Sequence, residues 1–496
     1  MARIAVIGAG MGALAAAARL AVAGHRVAVY ERTDTYGGAL RRFERDGFSF
    51  DTGPALLPLP AVYRDLFVKT GKEPLESCVE LVQVDPSSRH VFADGTGVSL
   101  PNASRAGVVA ALDEGLGAGA GKRWGDFLVR AREAWDRTRR PLLEEPLWPN
   151  WQVLAEREPY PSVPHKRLLR TRRAGTLAEV GAWELRDPRL AALLESHALG
   201  YGLDPRVAPA SAAVLPYLEH AFGTWYVRGG LRELARAVYE RCRARRVEFH
   251  FGAEVTGVLE KDGRASGVEL ADGSVAEADF VVAGVAPGIL DRLTPGTALR
   301  GGSEVPPQPA SAGRLTLLLA LRGPRPAGTA HRTVVHTPDR EAELEALFGT
   351  GAGHRRPTVT VLRPDDPGLA PADHEAVTVT TAVPARPGEP HGDLVDHMIT
   401  AAERAAPGLR DRLLWHKART PADTAEETGA EGGAVPVPAL AAAGGRLLHP
   451  SNGTRVPGLF TVGGWAHPGG GLPHAGMSGA LVAGLIVEGP EFRGSQ

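Results

Sequence analysis

Two patterns alternate along the chain: short apolar runs that stop at glycine, and longer stretches in which apolar residues return every third or fourth position. Arg3-Ile4-Ala5-Val6-Ile7 predicts a strand, and Gly8-Ala9-Gly10-Met11-Gly12-Ala13 turns it into an alanine-rich helix that ends at Gly24. Val27-Ala28-Val29-Tyr30 predicts a second strand closing on Glu31, and Phe280-Val281-Val282-Ala283 a buried one. Leu459-Phe460-Thr461-Val462 predicts another, which runs through Gly463-Gly464 toward an apolar helix ending at Val487. From 58 to 222 strands are scarce. There Trp124, Phe127, Leu128, Ala131 and Trp135 mark one apolar helical face. After Gly229-Gly230, Leu231, Leu234, Ala235 and Val238 predict a helix, followed by strands over 247–251 and 254–259 and a hairpin at Asp262-Gly263. Residues 315–321, 358–362 and 376–383 read as strands of an antiparallel sheet forming a cavity floor, 394–416 as one long helix, and 421–445 as a mobile loop.

The opening strand, glycine turn, helix and strand carry the first chemistry. In a dinucleotide-binding unit Gly8 permits the tight turn, Gly10 lets backbone approach a pyrophosphate, and small Ala13 lets helix pack on strand. The helix N-terminus then offers free N–H groups and partial positive charge to phosphate, with Met11 and Gly12 in its first turn. Glu31 stands where a carboxylate accepts hydrogen bonds from an adenosine ribose, which favours FAD or NAD over NADP. The closing segment repeats this logic, with Gly463, Gly464 and Gly471 ahead of a helix that begins near Leu472-Pro473.

Composition narrows the classes. In 496 residues, 43% hydrophobic and 23% charged content describe a globular protein with ample core. Lys plus Arg 56 against Asp plus Glu 57 sets aside a dedicated nucleic-acid binder. Two cysteines, Cys78 and Cys242, make no disulfide framework, no Cys/His set has zinc spacing, and no metal site is expected. The first strand begins within three residues and no apolar run is long enough to span a bilayer, which predicts a cytoplasmic protein. Trp148, Trp151 and Tyr160 next to Lys166, Arg167, Arg170, Arg172 and Arg173 suit peripheral contact with an anionic membrane face, although a helical cap whose arginines are solvated or paired internally is the preferred reading.

The acid-basic pair Glu31-Arg32, then Gly37-Gly38, then Gly47-Phe48-Ser49-Phe50-Asp51-Thr52-Gly53-Pro54, resembles the FAD-binding amino-terminus of phytoene (carotenoid) desaturase-like flavoproteins, relatives of the flavin amine oxidases. Trp225-Tyr226-Val227-Arg228-Gly229-Gly230 and Gly463-(x)3-His467-Pro468-Gly469-Gly470-Gly471-Leu472-Pro473 follow the same family pattern. The resemblance implies an α/β fold, with a Rossmann-like FAD domain over 1–70, 223–302 and 441–496. It also implies a mixed α+β substrate domain over 71–222 and 303–440, made of an antiparallel sheet plus a helical cap. Non-covalent FAD would then be held by the residues above together with Arg32, Gly38, Ala39, Leu40, Gly53, Pro54 and the backbone of Val255. Ala39 replaces the basic residue many members carry after the paired glycines, which shifts the phosphate contact to backbone, Arg41 or Arg42.

The implied reaction is removal of hydride plus proton from a small apolar isoprenoid or polyene-like substrate. No second glycine fingerprint is present for a nicotinamide, which leaves O₂, a quinone or a protein to reoxidise the flavin. His474 and His467 are candidate proton acceptors, and Trp465, Trp225 and Arg314 candidate cavity residues. Amine oxidation is the first alternative, although the only lysine after position 300 is Lys417 and the first sheet strand offers Arg314 instead. Redox-neutral isomerisation and a non-catalytic FAD-binding role are the others.

Overall fold

A computed structural model describes residues 1–147, 150–164, 171–295, 306, 312–349, 356–385 and 392–494. Two sheets organise it. The first is five-stranded and parallel, in the order Glu248–Phe251, Arg26–Glu31, Arg3–Ile7, Phe280–Ala283, Leu459–Thr461. The chain thus returns to its opening strand twice from far away, pairing Ile4 with Phe280 and Val281 with Leu459. The helix Met11–Val22 is almost wholly buried because it lies between this sheet and the closing helix Leu472–Val487. Its alanines and Gly479 let the two helices approach so closely that a Cβ on Gly479 would stand 2.6 Å from the Gly12 carbonyl oxygen.

The second sheet is seven-stranded, in the order Leu413–Arg419, Ala312–Arg322, His374–Pro384, Val359–Leu362, Arg332–Val335, Ser88–Val91, Gly97–Leu100. All neighbours are antiparallel except Arg332–Val335 with Ser88–Val91. Alternation divides its faces. Leu315, Leu317, Val359, Val361, Val377 and Val379 pack into one core with Met398 and Ile399 of the helix Gly392–Ala402. The opposite face is turned to a cavity.

Above that cavity lies the helical cap, whose main helices are Arg105–Leu116, Ala120–Arg139, Pro188–Gly200 and Val214–Phe222. The face carrying Trp124, Phe127, Leu128, Ala131 and Trp135 is buried in the cap's own core. Trp151 and Tyr160 are buried too, and the Tyr160 hydroxyl donates to Glu184 at 2.8 Å, so these two rings are not presented to a surface. Trp148, Lys166, Arg167 and Arg170 lie outside the described residues. Among the described residues no helix is long and apolar enough to cross a membrane.

Two expectations are corrected. The long helix expected over 394–416 ends at Ala402; after Pro407-Gly408, with Gly408 at φ +74°, and a short turn of helix, Leu413–Arg419 pairs as an edge strand with Ala312–Arg322. Tertiary pairing overrides helical periodicity there, and Trp415 packs edge-on against Phe43, Phe48 and Phe50. The expected loop over 421–445 opens with a helix, Pro421–Thr428. Proline sits in its first turn, and Thr420 and Asp423 form a reciprocal capping box.

Candidate active site

The loop Gly8–Gly10 is held from both sides. Gly8 takes φ +87°, a conformation costly for any residue with a side chain. Glu31 accepts from the Ala9 amide at 2.8 Å and, through its other oxygen, from the Thr33 amide and hydroxyl, each at 2.8 Å. The carboxylate therefore fixes the loop while standing in the cavity wall. Gly37 donates its amide to the Ala9 carbonyl at 2.8 Å, which brings the paired glycines alongside the first turn.

The closing motif meets the opening one directly. A Cβ on Gly12 would stand 2.7 Å from the Gly463 Cα, so these two backbones are in contact. Neither helix has a side-chain cap at its N-terminus, and both Gly10 and Gly471, the residues preceding them, line the same cavity. A Cβ on Gly10 or Gly463 would meet nothing within 4 Å, so the open side of each faces empty space. Uncapped helix N-termini beside side-chain-free backbone are the donor set a dinucleotide requires, and the cradle fits FAD. Behind it, Ser478 accepts from the Gly463 amide at 3.0 Å, and the Asn452 side chain donates to Ser478, to the His467 carbonyl at 2.8 Å and to the Thr461 carbonyl at 3.1 Å. Tyr63 donates to the Leu472 carbonyl at 2.9 Å.

The motif around Asp51 has a structural role that sequence reading missed. Its carboxylate accepts from the amides of Leu231, at 2.6 Å, and Arg232, at 3.2 Å, and so caps the helix Leu231–Ala244. Any Cβ on Gly230 would collide with that carboxylate at 2.6 Å, which is why the Phe-Ser-Phe-Asp segment and the paired glycines of 229–230 occur together. Burial, opposed by these amides and by Arg42, raises the Asp51 carboxyl to about 6.

One continuous cavity of about 1050 Å³ runs from this cradle to the second sheet. Its nucleotide end includes Gly8, Gly10, Met11, Gly12, Ala13, Glu31, Arg32, Gly38, Ala39, Leu40 and Val255, and its middle Gly53, Pro54, Gly463, Gly464, Trp465, Gly471 and Leu472. Arg314 lines the far end.

The structure does not bring the remaining candidates there. Arg42 bonds Glu233 at 3.0 Å and the Gly229 carbonyl, and its neighbour Arg41 takes the wall position. Pro473 is buried in the first turn of its helix. Trp225 points off the opposite face of its strand, donating to the Phe222 carbonyl at 3.0 Å beneath Arg64, while Thr224 lines the cavity. His467 is fully buried with Nε2 against the Glu145 carbonyl at 2.9 Å, and burial lowers its pKa to about 4. His474 sits behind Gly471 in a small separate pocket beside Trp135 and Leu142, lowered to about 3 by burial and then by His449 and His467. Neither ring reaches the main cavity, which removes the ground for assigning them proton transfer.

In their place the cavity holds side chains that sequence reading passed over. Arg332 grips the Glu219 carboxylate with both terminal nitrogens, one at 3.1 Å to Oε1, and His197 Nε2 lies 3.7 Å from Oε2. Burial alone would raise the Glu219 carboxyl, but Arg332 and His197 hold it well below the ordinary range. His90 bonds Ser88 at 3.0 Å and His336 at 2.9 Å. The helix Pro421–Thr428 closes the side facing the first motif, where its terminal carbonyls at Glu426 and Glu427 accept from Arg32 and Arg41. Strict Val/Thr alternation over 377–380 was a usable signal that one face of that strand is polar.

A parallel nucleotide-type sheet joined to an antiparallel floor by one cavity defines an FAD-dependent oxidoreductase. The chain belongs to the family described as flavin containing amine oxidoreductase, whose model matches residues 14–487. Within it the chain is phytoene desaturase-like. It is 30% identical to a 4,4'-diapolycopene oxygenase of Methylomonas sp over 98% of both chains. It is also 30% identical to a hydroxyneurosporene desaturase of Rhodobacter capsulatus, over 98% of this chain and 97% of that one. Its fold is shared with an oxidoreductase from Methanosarcina mazei, at TM-score 0.66, 19% identity and coverage of 97% and 99%. Putrescine oxidase shares it too, at TM-score 0.66, 14% identity and coverage of 98% and 99%.

Proposed function

We propose that this enzyme carries out FAD-dependent C–C desaturation of an isoprenoid polyene, with reoxidation by O₂, a quinone or a protein and with peripheral contact at a membrane that holds such substrates. The observation that carries this reading is the continuity of one cavity from the glycine cradle to the seven-stranded floor, which admits an elongated molecule alongside a bound dinucleotide. When bound, FAD supplies the hydride acceptor. The chain's own residues position and enclose the reactants. The N-terminus of the helix Met11–Val22 and the loop Gly8–Gly10 would hold the diphosphate, Glu31 the ribose, and the backbone from Gly463 to Leu472, with the N-terminus of the closing helix, the flavin end. Trp465 and the cap side chain Leu215 restrict water above the floor.

The names of the relatives favour polyenes, and among the described residues no lysine lines the cavity, which disfavours an amine. The test is anaerobic incubation of the FAD-loaded enzyme with phytoene, diapophytoene and putrescine while following flavin absorbance. Bleaching by a polyene, with a longer conjugated product, is expected. Bleaching by putrescine alone overturns the reading.

A further inference from the structure

The floor of the cavity is not the surface a pure hydrocarbon requires. Thr316 pairs in register with Thr380, Thr380 with Thr360, Thr360 with Val334, and Val334 with His90, and all of these face the cavity. At the usual strand spacing this sets three hydroxyls in a row roughly 10 Å long. The Thr316 and Thr380 hydroxyls are 3.3 Å apart. Two residues before Thr316, on the same face of the same strand, is Arg314.

Arg314 differs from Arg332 and Arg419, the other arginines of the sheet that line the cavity; Arg419 pairs with Glu427 at 2.7 Å. Arg332 is neutralised by Glu219, whereas no carboxylate among the described residues pairs with Arg314. Its guanidinium donates to the Gly200 carbonyl, and its remaining exposure opens into the cavity. Burial works against its charge, with only the Tyr201 phenol opposing that effect. A guanidinium has five N–H donors, so most of its fork is uncommitted. An unpaired charge withdrawn from water is unfavourable until an anion or strong acceptor completes it.

We propose that Arg314, seconded by the Thr316 and Thr380 hydroxyls, receives a carboxylate on the substrate, so that among polyenes the enzyme binds an isoprenoid acid more tightly than its uncharged counterparts. The fork accepts both carboxylate oxygens, and the hydroxyl row orients the chain that follows. This rests on the desaturase reading and names the substrate class within it.

Retinoic acid and methyl retinoate differ only at the group in question. Their dissociation constants for the oxidised, FAD-loaded enzyme are read from the perturbation of flavin absorbance, in wild type, Arg314→Ala and Arg314→Lys. The acid is expected to bind wild type at least about tenfold tighter than the ester. That ratio should fall to about one in Arg314→Ala, with the ester constant unchanged, and be partly retained in Arg314→Lys, which keeps the charge and loses the fork. Equal binding of acid and ester to wild type overturns the proposal. Equal weakening of both by Arg314→Ala, or loss of FAD from that variant, also overturns it and assigns Arg314 to the flavin or to packing. Polyene bleaching without acid preference sinks this inference and spares the desaturase reading. Acid preference without bleaching by any polyene does the reverse.

Discussion

At the nucleotide end of the cavity the chain works with what it omits, and at the far end with what it adds. Gly10 and Gly463 present bare backbone to open space, and two helices direct uncapped N-termini at the same volume, so recognition there needs almost no side chains. The far end is the opposite: three threonines, two arginines and His90 delivered from strands separated by long stretches of chain, with Glu219 and His197 brought down by two cap helices. Backbone recognition tolerates little change in spacing because a single Cβ fills the gap. Side-chain recognition leaves the scaffold intact and lets the substrate preference vary. One fold can therefore keep its cofactor and change what it oxidises.

The contact between the two glycine motifs offers the most severe way to break this arrangement. Gly12→Val or Gly479→Val places atoms into backbone at 2.7 or 2.6 Å, and a loss of roughly 3 kcal/mol or more is expected, with FAD content falling in parallel. Urea denaturation and the flavin-to-protein absorbance ratio check it. Removing one member of the floor's ion pair is next. Arg332→Met leaves the half-buried Glu219 with only His197 beside it and is expected to cost about 2 kcal/mol, much of it recovered in the Arg332→Met, Glu219→Leu double variant.

The same pair sets a pH dependence. The folded-state pKa of Glu219 is depressed, so its contribution is fully present above the unfolded value of about 4.3 and is lost as pH falls toward the folded one. Denaturation midpoints measured from about pH 5 downward, below the unfolded carboxyl value, should fall more steeply in wild type than in the double variant. A parallel slope in both would remove Glu219 as the cause.

Gly10→Ala sharpens the comparison from the other side. Gly10 has φ −73° and open space beyond it, so the variant is expected to keep its denaturation midpoint while FAD affinity falls about tenfold. A change in stability without a change in affinity would show that the open side of Gly10 does not face the cofactor. The smallest effect is expected at His474. His474→Ala should change the rate of anaerobic flavin reduction less than about threefold, since the ring lies in its own pocket. A larger fall would return it to the chemistry.

Much of the fold was legible because the signals are local. Strand, glycine turn and helix within residues 3 to 22 specify a phosphate site by their order alone, and the hairpin at Asp262-Gly263 closes with Lys261 opposite Arg264 as its turn residues predict. Where local signals competed with distant partners they failed. The 394–416 stretch has helical periodicity, yet its end is claimed by an edge of the second sheet. The two histidines of the closing signature stand next to the right glycines in sequence, but the closing helix places the His474 ring against Gly471, and His467, ahead of that helix, is pinned to the Glu145 carbonyl.

The sequence by itself determined the cofactor class and the pairing of the two terminal glycine motifs, because backbone close approach is encoded by glycines at fixed short spacing. Only the tertiary structure decided what faces the substrate. Register across three strands puts Thr316, Thr380 and Thr360 in one row, and the lack of any carboxylate paired with Arg314 among the described residues is a property of space that no spacing along the chain encodes.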